Sequence, residues 1–174
     1  MSNHPSRRLP DAVPSAVVIV GRPNVGKSAL FNRIAGRRVA IVHEESGVTR
    51  DRIATRVDKY ARPFDLVDTG GILGRHMAGE PDLIQDEIRR QTDEALRTAA
   101  AIVFVVDAAA GPAPLDASVA AQLRLHGRPV VLAANKCDEE RMDERAGEFA
   151  RFGFPVVPVS AMHNRGIEQL IEGI

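Results

Sequence analysis

Apolar residues gather in six short runs along this chain, near 16–20, 52–58, 64–68, 101–107, 130–134 and 156–159. Runs of this length, rich in Val and Ile and bounded by polar or glycine-containing stretches, predict strands. Ala16-Val17-Val18-Ile19-Val20 and Val130-Val131-Leu132-Ala133-Ala134 contain no polar residue, as expected of strands covered on both faces. The segment at 52–58 instead alternates through Ile53, Thr55 and Val57. Helical patterning falls between the runs, near 27–35, 82–99, 115–126, 139–151 and from 166. Strands alternating with helices predict an α/β domain with a mostly parallel six-stranded sheet and helices on both faces, its ligand at the strands' carboxyl ends. Only Lys59 to Pro63 separate the runs at 52–58 and 64–68, so these two should form an antiparallel hairpin at an edge. Residues 1–14 are polar and broken by prolines, which predicts a disordered extension before one domain over 15–174.

The first strand run leads directly into Gly21-Arg22-Pro23-Asn24-Val25-Gly26-Lys27-Ser28, and a helical pattern begins with Ala29-Leu30-Phe31. This fits G-x-x-x-x-G-K-[ST] in its required setting of strand, loop and helix start. Bare backbone N–H groups and the positive end of a helix make an anion cradle there. Lys27 is expected to reach the β- and γ-phosphates and the Ser28 hydroxyl to hold Mg²⁺. An ordinary glycine-rich turn is the plain alternative, and the flanking elements argue against it. The fold class is then a P-loop NTPase.

The fifth run ends in Asn135-Lys136-Cys137-Asp138. A carboxylate at Asp138 accepts from both the ring N–H and the exocyclic amino group of guanine, whereas adenine leaves that acceptor unpaired. Asn135 is expected to tie this loop to the phosphate loop, with the Lys136 stem along the base. Between the two motifs, Asp68-Thr69-Gly70-Gly71 fits D-x-x-G, with Asp68 acting on Mg²⁺ through water and the Gly71 N–H on the γ-phosphate. Thr49 is the preferred switch threonine, ligating Mg²⁺ and bonding the γ-phosphate; Thr55 is the rival, but it lies in the alternating strand segment. Val159-Ser160-Ala161 closes the sixth run where a backbone N–H would meet the guanine carbonyl. The expected nucleotide-binding set is Gly21, Asn24, Val25, Gly26, Lys27, Ser28, Ala29, Asp68, Gly71, Asn135, Lys136, Asp138, Ser160 and Ala161. An ATPase or kinase is disfavoured by the Asn135 to Asp138 motif.

Five motifs in this order resemble the translation-factor-related GTPases with a Ras-like G domain. The strings Gly21 to Ser28, Gly47 to Arg52, Asp68 to Ile72, and Ser160-Ala161 followed by His163 and Gly166 resemble the Der (EngA) family of bacterial double-Era-like GTPases, and most of all its first GTPase domain. The resemblance implies a role in assembly of the large (50S) ribosomal subunit, with GTP and GDP as ligands. It also implies a cytoplasmic protein, further domains outside these residues that it would contact, and a chain that is a piece of something longer and monomeric by itself. Similarity to potassium-activated GTPases implies that the Asn24 side-chain oxygen coordinates K⁺ beside the phosphates; otherwise Asn24 only stabilises its own loop. The implied catalytic set is Lys27, Thr49, Gly71 and Asn24, with Ser28, Thr49 and Asp68 on Mg²⁺. Ala29, Ser46 and Asn164 depart from the family pattern without touching phosphate or metal chemistry.

Composition narrows the possibilities. Lys plus Arg equals Asp plus Glu at 23 each, and there is one Tyr and no Trp, so neither a bulk basic field nor a stacking surface favours nucleic acid. Two of the three lysines are Lys27 and Lys136. The single cysteine, Cys137, allows no internal disulfide and fits a reducing compartment. Ser6-Arg7-Arg8 is not followed by an uninterrupted apolar run, and no run approaches a membrane span. In Ras-like enzymes a glutamine after the D-x-x-G glycine places the attacking water; here Ile72 stands there and cannot hydrogen-bond. Intrinsic hydrolysis is therefore expected to be slow, ~10⁻⁴ to 10⁻² s⁻¹. The other functional class is a docking module gated by nucleotide, whose hydrolysis is incidental.

Overall fold

The computed structural model describes residues 16–36, 53–69 and 99–174, together with Asp86, Arg89, Arg90, Asp93, Leu96 and Arg97. The expected disorder of 1–14, the switch threonine Thr49, and Gly71 with its neighbour Ile72 lie outside the described residues. In chain order the elements are β1 (Ala16–Val20), α1 (Lys27–Ala35), β2 (Ile53–Val57), β3 (Phe64–Asp68), β4 (Ala101–Asp107), α2 (Pro114–His126), β5 (Val130–Asn135), α3 (Asp143–Gly147), β6 (Val156–Pro158) and α4 (Ile167–Glu172). The six positions described between 86 and 97 are helical, in agreement with the helix expected there.

The strands form one six-stranded sheet in the order β2-β3-β1-β4-β5-β6. Every neighbouring pair is parallel except β2 with β3, the expected hairpin at the edge. Alternate side chains of each central strand enter opposite cores, as the two-residue period requires. Val18, Val20, Phe104 and Leu132 join Leu123 of α2 and the aromatic pair Phe149 and Phe152 on one face. Val17, Ile19, Val105 and Val131 join Leu30 and Ile34 of α1 and Leu170 of α4 on the other. Burial on both sides explains why these strands read as unbroken apolar runs.

The segment at 139–151 differs from the single helix its pattern predicts. It is a 3₁₀ turn at Glu140–Met142, the short α3, and a second 3₁₀ stretch at Glu148–Phe152. Gly147 weakens the middle of the segment. A 3₁₀ turn stacks positions three apart, and this brings Phe149 and Phe152 together into the core. Among the described residues, no helix is long and apolar enough to cross a membrane.

Candidate nucleotide site

Chain reversal on either side of β1 opens a crevice at the strands' carboxyl ends, the position where this sheet architecture binds ligands. Three strand ends deliver the predicted residues into it. Ile19 pairs with Asp68, so the end of β3 lies beside the start of the phosphate loop. Asp107 pairs with Asn135, which brings the end of β4 against the base loop.

Within the phosphate loop, Lys27 is buried and its Nζ donates to the carbonyls of Gly21 and Arg22, each at 2.8 Å. Burial brings the Lys27 ammonium down to about 8; the Asp68 carboxylate opposes that fall and the Arg22 guanidinium adds to it. Ser28 Oγ donates to Asp68 Oδ2 at 3.2 Å. A hydroxyl and a carboxylate brought this close, both hard oxygen donors, suit Mg²⁺. Thr69 follows Asp68 and its hydroxyl bonds the Ile19 carbonyl at 2.8 Å, which pins β3 to β1 at the crevice. Val25 is fully buried, whereas Asn24 and Ala29 are exposed. Asn24 takes a left-handed backbone with φ 65°, and its side chain makes no hydrogen bond among the described residues.

The phosphate and base loops are joined by direct contacts. Asn135 Nδ2 donates to the Val25 carbonyl at 2.9 Å, and Asn135 Oδ1 accepts from the Ala161 N–H at 3.1 Å. One buried amide thus links three of the motifs, and the Ala161 N–H is already engaged by it. Gly26 has φ 94°, and a Cβ there would collide with the Asn135 side-chain nitrogen. Glycine is required at this point both by the backbone and by the packing of the two loops. Lys136, itself left-handed at φ 70°, turns its Nζ to the Asn24 carbonyl at 3.2 Å and to Asp107 Oδ2 at 2.6 Å.

On the base side, Asp138 is exposed and its Oδ1 accepts from Ser160 Oγ at 2.6 Å. Ser160 Oγ in turn accepts the His163 N–H at 3.0 Å, so the buried serine orients the carboxylate. A carboxylate has lone pairs for further donors, and a base edge is a suitable source. Cys137 is a buried filler whose thiol is pushed up, first by burial and then by the nearby Asp143 carboxylate. Arg165 holds this loop from outside, donating to the Cys137 carbonyl at 3.1 Å while gripping Asp143 through both nitrogens.

Thr55, the alternative switch threonine, is buried in β2 and paired in register with Leu66.

Several contributors carry no motif. Asp107 holds Lys136, and its carboxyl lies below the usual range: the Lys136 ammonium and the Ala110 and Ala109 N–H groups outweigh the burial that opposes them. The one available signal was a carboxylate ending a buried strand at the crevice. Arg33 of α1 donates to the Ala161 carbonyl at 2.7 Å and the Met162 carbonyl at 2.8 Å, which fastens the base-side loop to the helix that begins at Lys27. Arg22 sits at a variable position of the motif and faces Asp116 at the start of α2. Nothing in the sequence spacing points to these pairs, because they join positions far apart in the chain.

Comparison with known proteins agrees with this geometry. Residues 16–136 match the family described as 50S ribosome-binding GTPase. Among curated relatives, the GTPase Der of Akkermansia muciniphila is 46% identical over 155 residues, covering 88% of this chain and 32% of that protein. The GTPase Der of Myxococcus xanthus is also 46% identical, over 161 residues, covering 91% of this chain and 34% of its own length. The chain therefore spans about a third of the length of the curated relatives it matches. Among solved structures, Aquifex aeolicus Era bound to GDP and AlF₄⁻ superposes with a TM-score of 0.69 at 26% identity, over 90% of this chain and 54% of that one. The G domain of the T. maritima FeoB iron transporter gives 0.68 at 25% identity, over 91% and 95%.

Proposed function

The chain belongs to the 50S ribosome-binding GTPase family, and from that premise we propose that it is a guanine-nucleotide switch that hydrolyses GTP slowly and serves assembly of the large ribosomal subunit. The observation that carries the reading is the buried Asn135 amide, which locks a phosphate loop to a loop bearing an exposed carboxylate at Asp138. Such a pairing selects a phosphate chain and a guanine edge at once. Ribosome binding belongs to the family's description, and the relatives are GTPase Der proteins; the assembly role is an extension from both. Further domains and the ribosomal partner belong to the same extension.

Lys27 holds the β- and γ-phosphates, and Gly21, Val25, Gly26 and Ala29 supply backbone around them. Asp138, with Ser160 behind it, reads the guanine. Ser28 and Asp68 would hold Mg²⁺, with Thr49 and Gly71 completing the γ-phosphate side. Bound there, Mg²⁺ neutralises charge on the β- and γ-oxygens. Asn24 would hold K⁺: its side chain is exposed beside the loop and committed to no other group among the described residues. Bound there, K⁺ supplies positive charge of the kind an arginine finger gives. With Ile72 where a glutamine would orient water, the unassisted rate stays low.

Asn24→Ala tests the cation assignment. Hydrolysis by the unchanged chain is expected to run faster in K⁺ than in Na⁺ at equal ionic strength, and the substitution is expected to remove that difference. A difference that survives the substitution excludes Asn24 as the ligand.

A further inference from the structure

One charged pair joins a variable position of the phosphate loop, Arg22, to a buried carboxylate outside the five motifs, Asp116. We propose that Asp116, at the start of α2, is a positioning residue that latches the phosphate loop through Arg22 and so sets nucleotide affinity. The proposal rests on the nucleotide-binding reading above and adds a residue to it.

Asp116 is completely buried, and the Arg22 side chain is 18% exposed. Arg22 Nε lies 3.2 Å from Asp116 Oδ1 and 3.4 Å from Oδ2, and it hydrogen-bonds to the latter. Oδ2 also accepts the Ala113 N–H at 3.0 Å, the local bond expected of an acidic residue in a first helical turn. Oδ1 has no hydrogen-bond partner among the described residues. If capping α2 were its whole role, a neutral side chain would serve, without the cost of burying a charge. Burial disfavours the Asp116 charge, and what offsets that is the Ala113 N–H together with the guanidinium that the phosphate loop extends to it.

The loop end of the pair is equally specific. Arg22 follows Gly21 directly, and its own carbonyl accepts Lys27 Nζ at 2.8 Å. One residue thus anchors the phosphate lysine by its backbone and reaches α2 by its side chain. Arg22 is also a second cation near Lys27 and disfavours the Lys27 charge. Asp116 draws that guanidinium aside and counters its field. Freed from Asp116, Arg22 loses its fixed direction, and the carbonyls that orient Lys27 lose their support from α2.

The test is a double-mutant cycle on the 174-residue chain, read by the affinity for fluorescently labelled GDP and by the unfolding temperature without nucleotide. Asp116→Asn keeps an acceptor for the Ala113 N–H and removes the charge. It is expected to weaken GDP binding roughly tenfold, Arg22→Ala by a similar factor, and the double variant no more than the worse single one. Arg22→Lys, which keeps the charge, is expected to recover part of the loss. Arg22 packs in neither core, so Arg22→Ala and Arg22→Lys keep the test open even if the buried substitution fails to fold. GDP affinity within about twofold of the unchanged chain while the unfolding temperature falls, or effects that multiply in the double variant, would overturn the latch. An unchanged chain that does not bind GDP would overturn the nucleotide reading and the latch with it. A chain that binds GDP with every variant equal to it overturns the latch alone.

Discussion

Lys27 is held by opposing demands. Its burial would let it face phosphate without competing water, and that burial brings its ammonium down to about 8. Bound phosphate favours the charged form, so its pKa rises on binding. Above about pH 8, the nucleotide-free chain is partly deprotonated at Lys27 and must take up a proton to bind GDP. Affinity is therefore expected to fall as pH rises beyond that point, by at most about tenfold per pH unit, and calorimetry at about pH 9 in buffers of different ionisation heat should register the uptake. No uptake at that pH would mean that Lys27 stays charged in the free protein. Asp138 supports a second residue-scale prediction. Inosine diphosphate lacks the exocyclic amino group, and losing one hydrogen bond to a charged acceptor should weaken binding about 10- to 100-fold. In Asp138→Ala the two nucleotides should bind alike in a competition assay; a persisting preference for guanine would place its reader elsewhere. Residues such as these were legible because their chemistry is tied to spacing within one loop. Asp107, Asp116, Arg22 and Arg33 were not, because each acts through a partner that only the folded sheet brings near.

At the level of elements, the strands declared themselves and the loops did so only in part. Burial on both faces leaves a strand no polar position before its carboxyl end, and β1, β4 and β5 were readable for that reason. The segment at 139–151 departs from a single helix because Phe149 and Phe152, three apart, suit either helical geometry, and the choice is made by the core they enter. Asn164 has φ 57°, a left-handed backbone that asparagine tolerates better than most residues. The join between the phosphate and base loops carries the element-scale prediction. Gly26→Ala would force Asn135 away from Val25 and strain a left-handed backbone. A loss of ~1–3 kcal/mol is expected, with GDP affinity down roughly tenfold or more in a titration. Unchanged GDP affinity would show that the two loops need not touch.

Across the whole molecule, the order β2-β3-β1-β4-β5-β6 places β1 between strands reached in opposite directions, and the crevice follows from that topology. The overall architecture was predictable from the alternation of runs. The tie from Asn135 to the phosphate loop was predictable too, but the third loop's meeting that same amide through Ala161 was not, since it depends on parallel register between β4 and β5 and on the turn after β6. The domain joins its phosphate and base loops through Asn135, and its sequence carries Ile72 where a Ras-like enzyme has the glutamine that orients water. Such a protein should bind GTP selectively and turn it over slowly. The most direct test is single-turnover hydrolysis by this chain with Mg²⁺, GTP and ATP being compared at equal concentration. Phosphate release from GTP is expected at ~10⁻⁴ to 10⁻² s⁻¹, with none above background from ATP. Equal release from both nucleotides, or fast release from GTP without a partner, would rule out a slow guanine-selective switch.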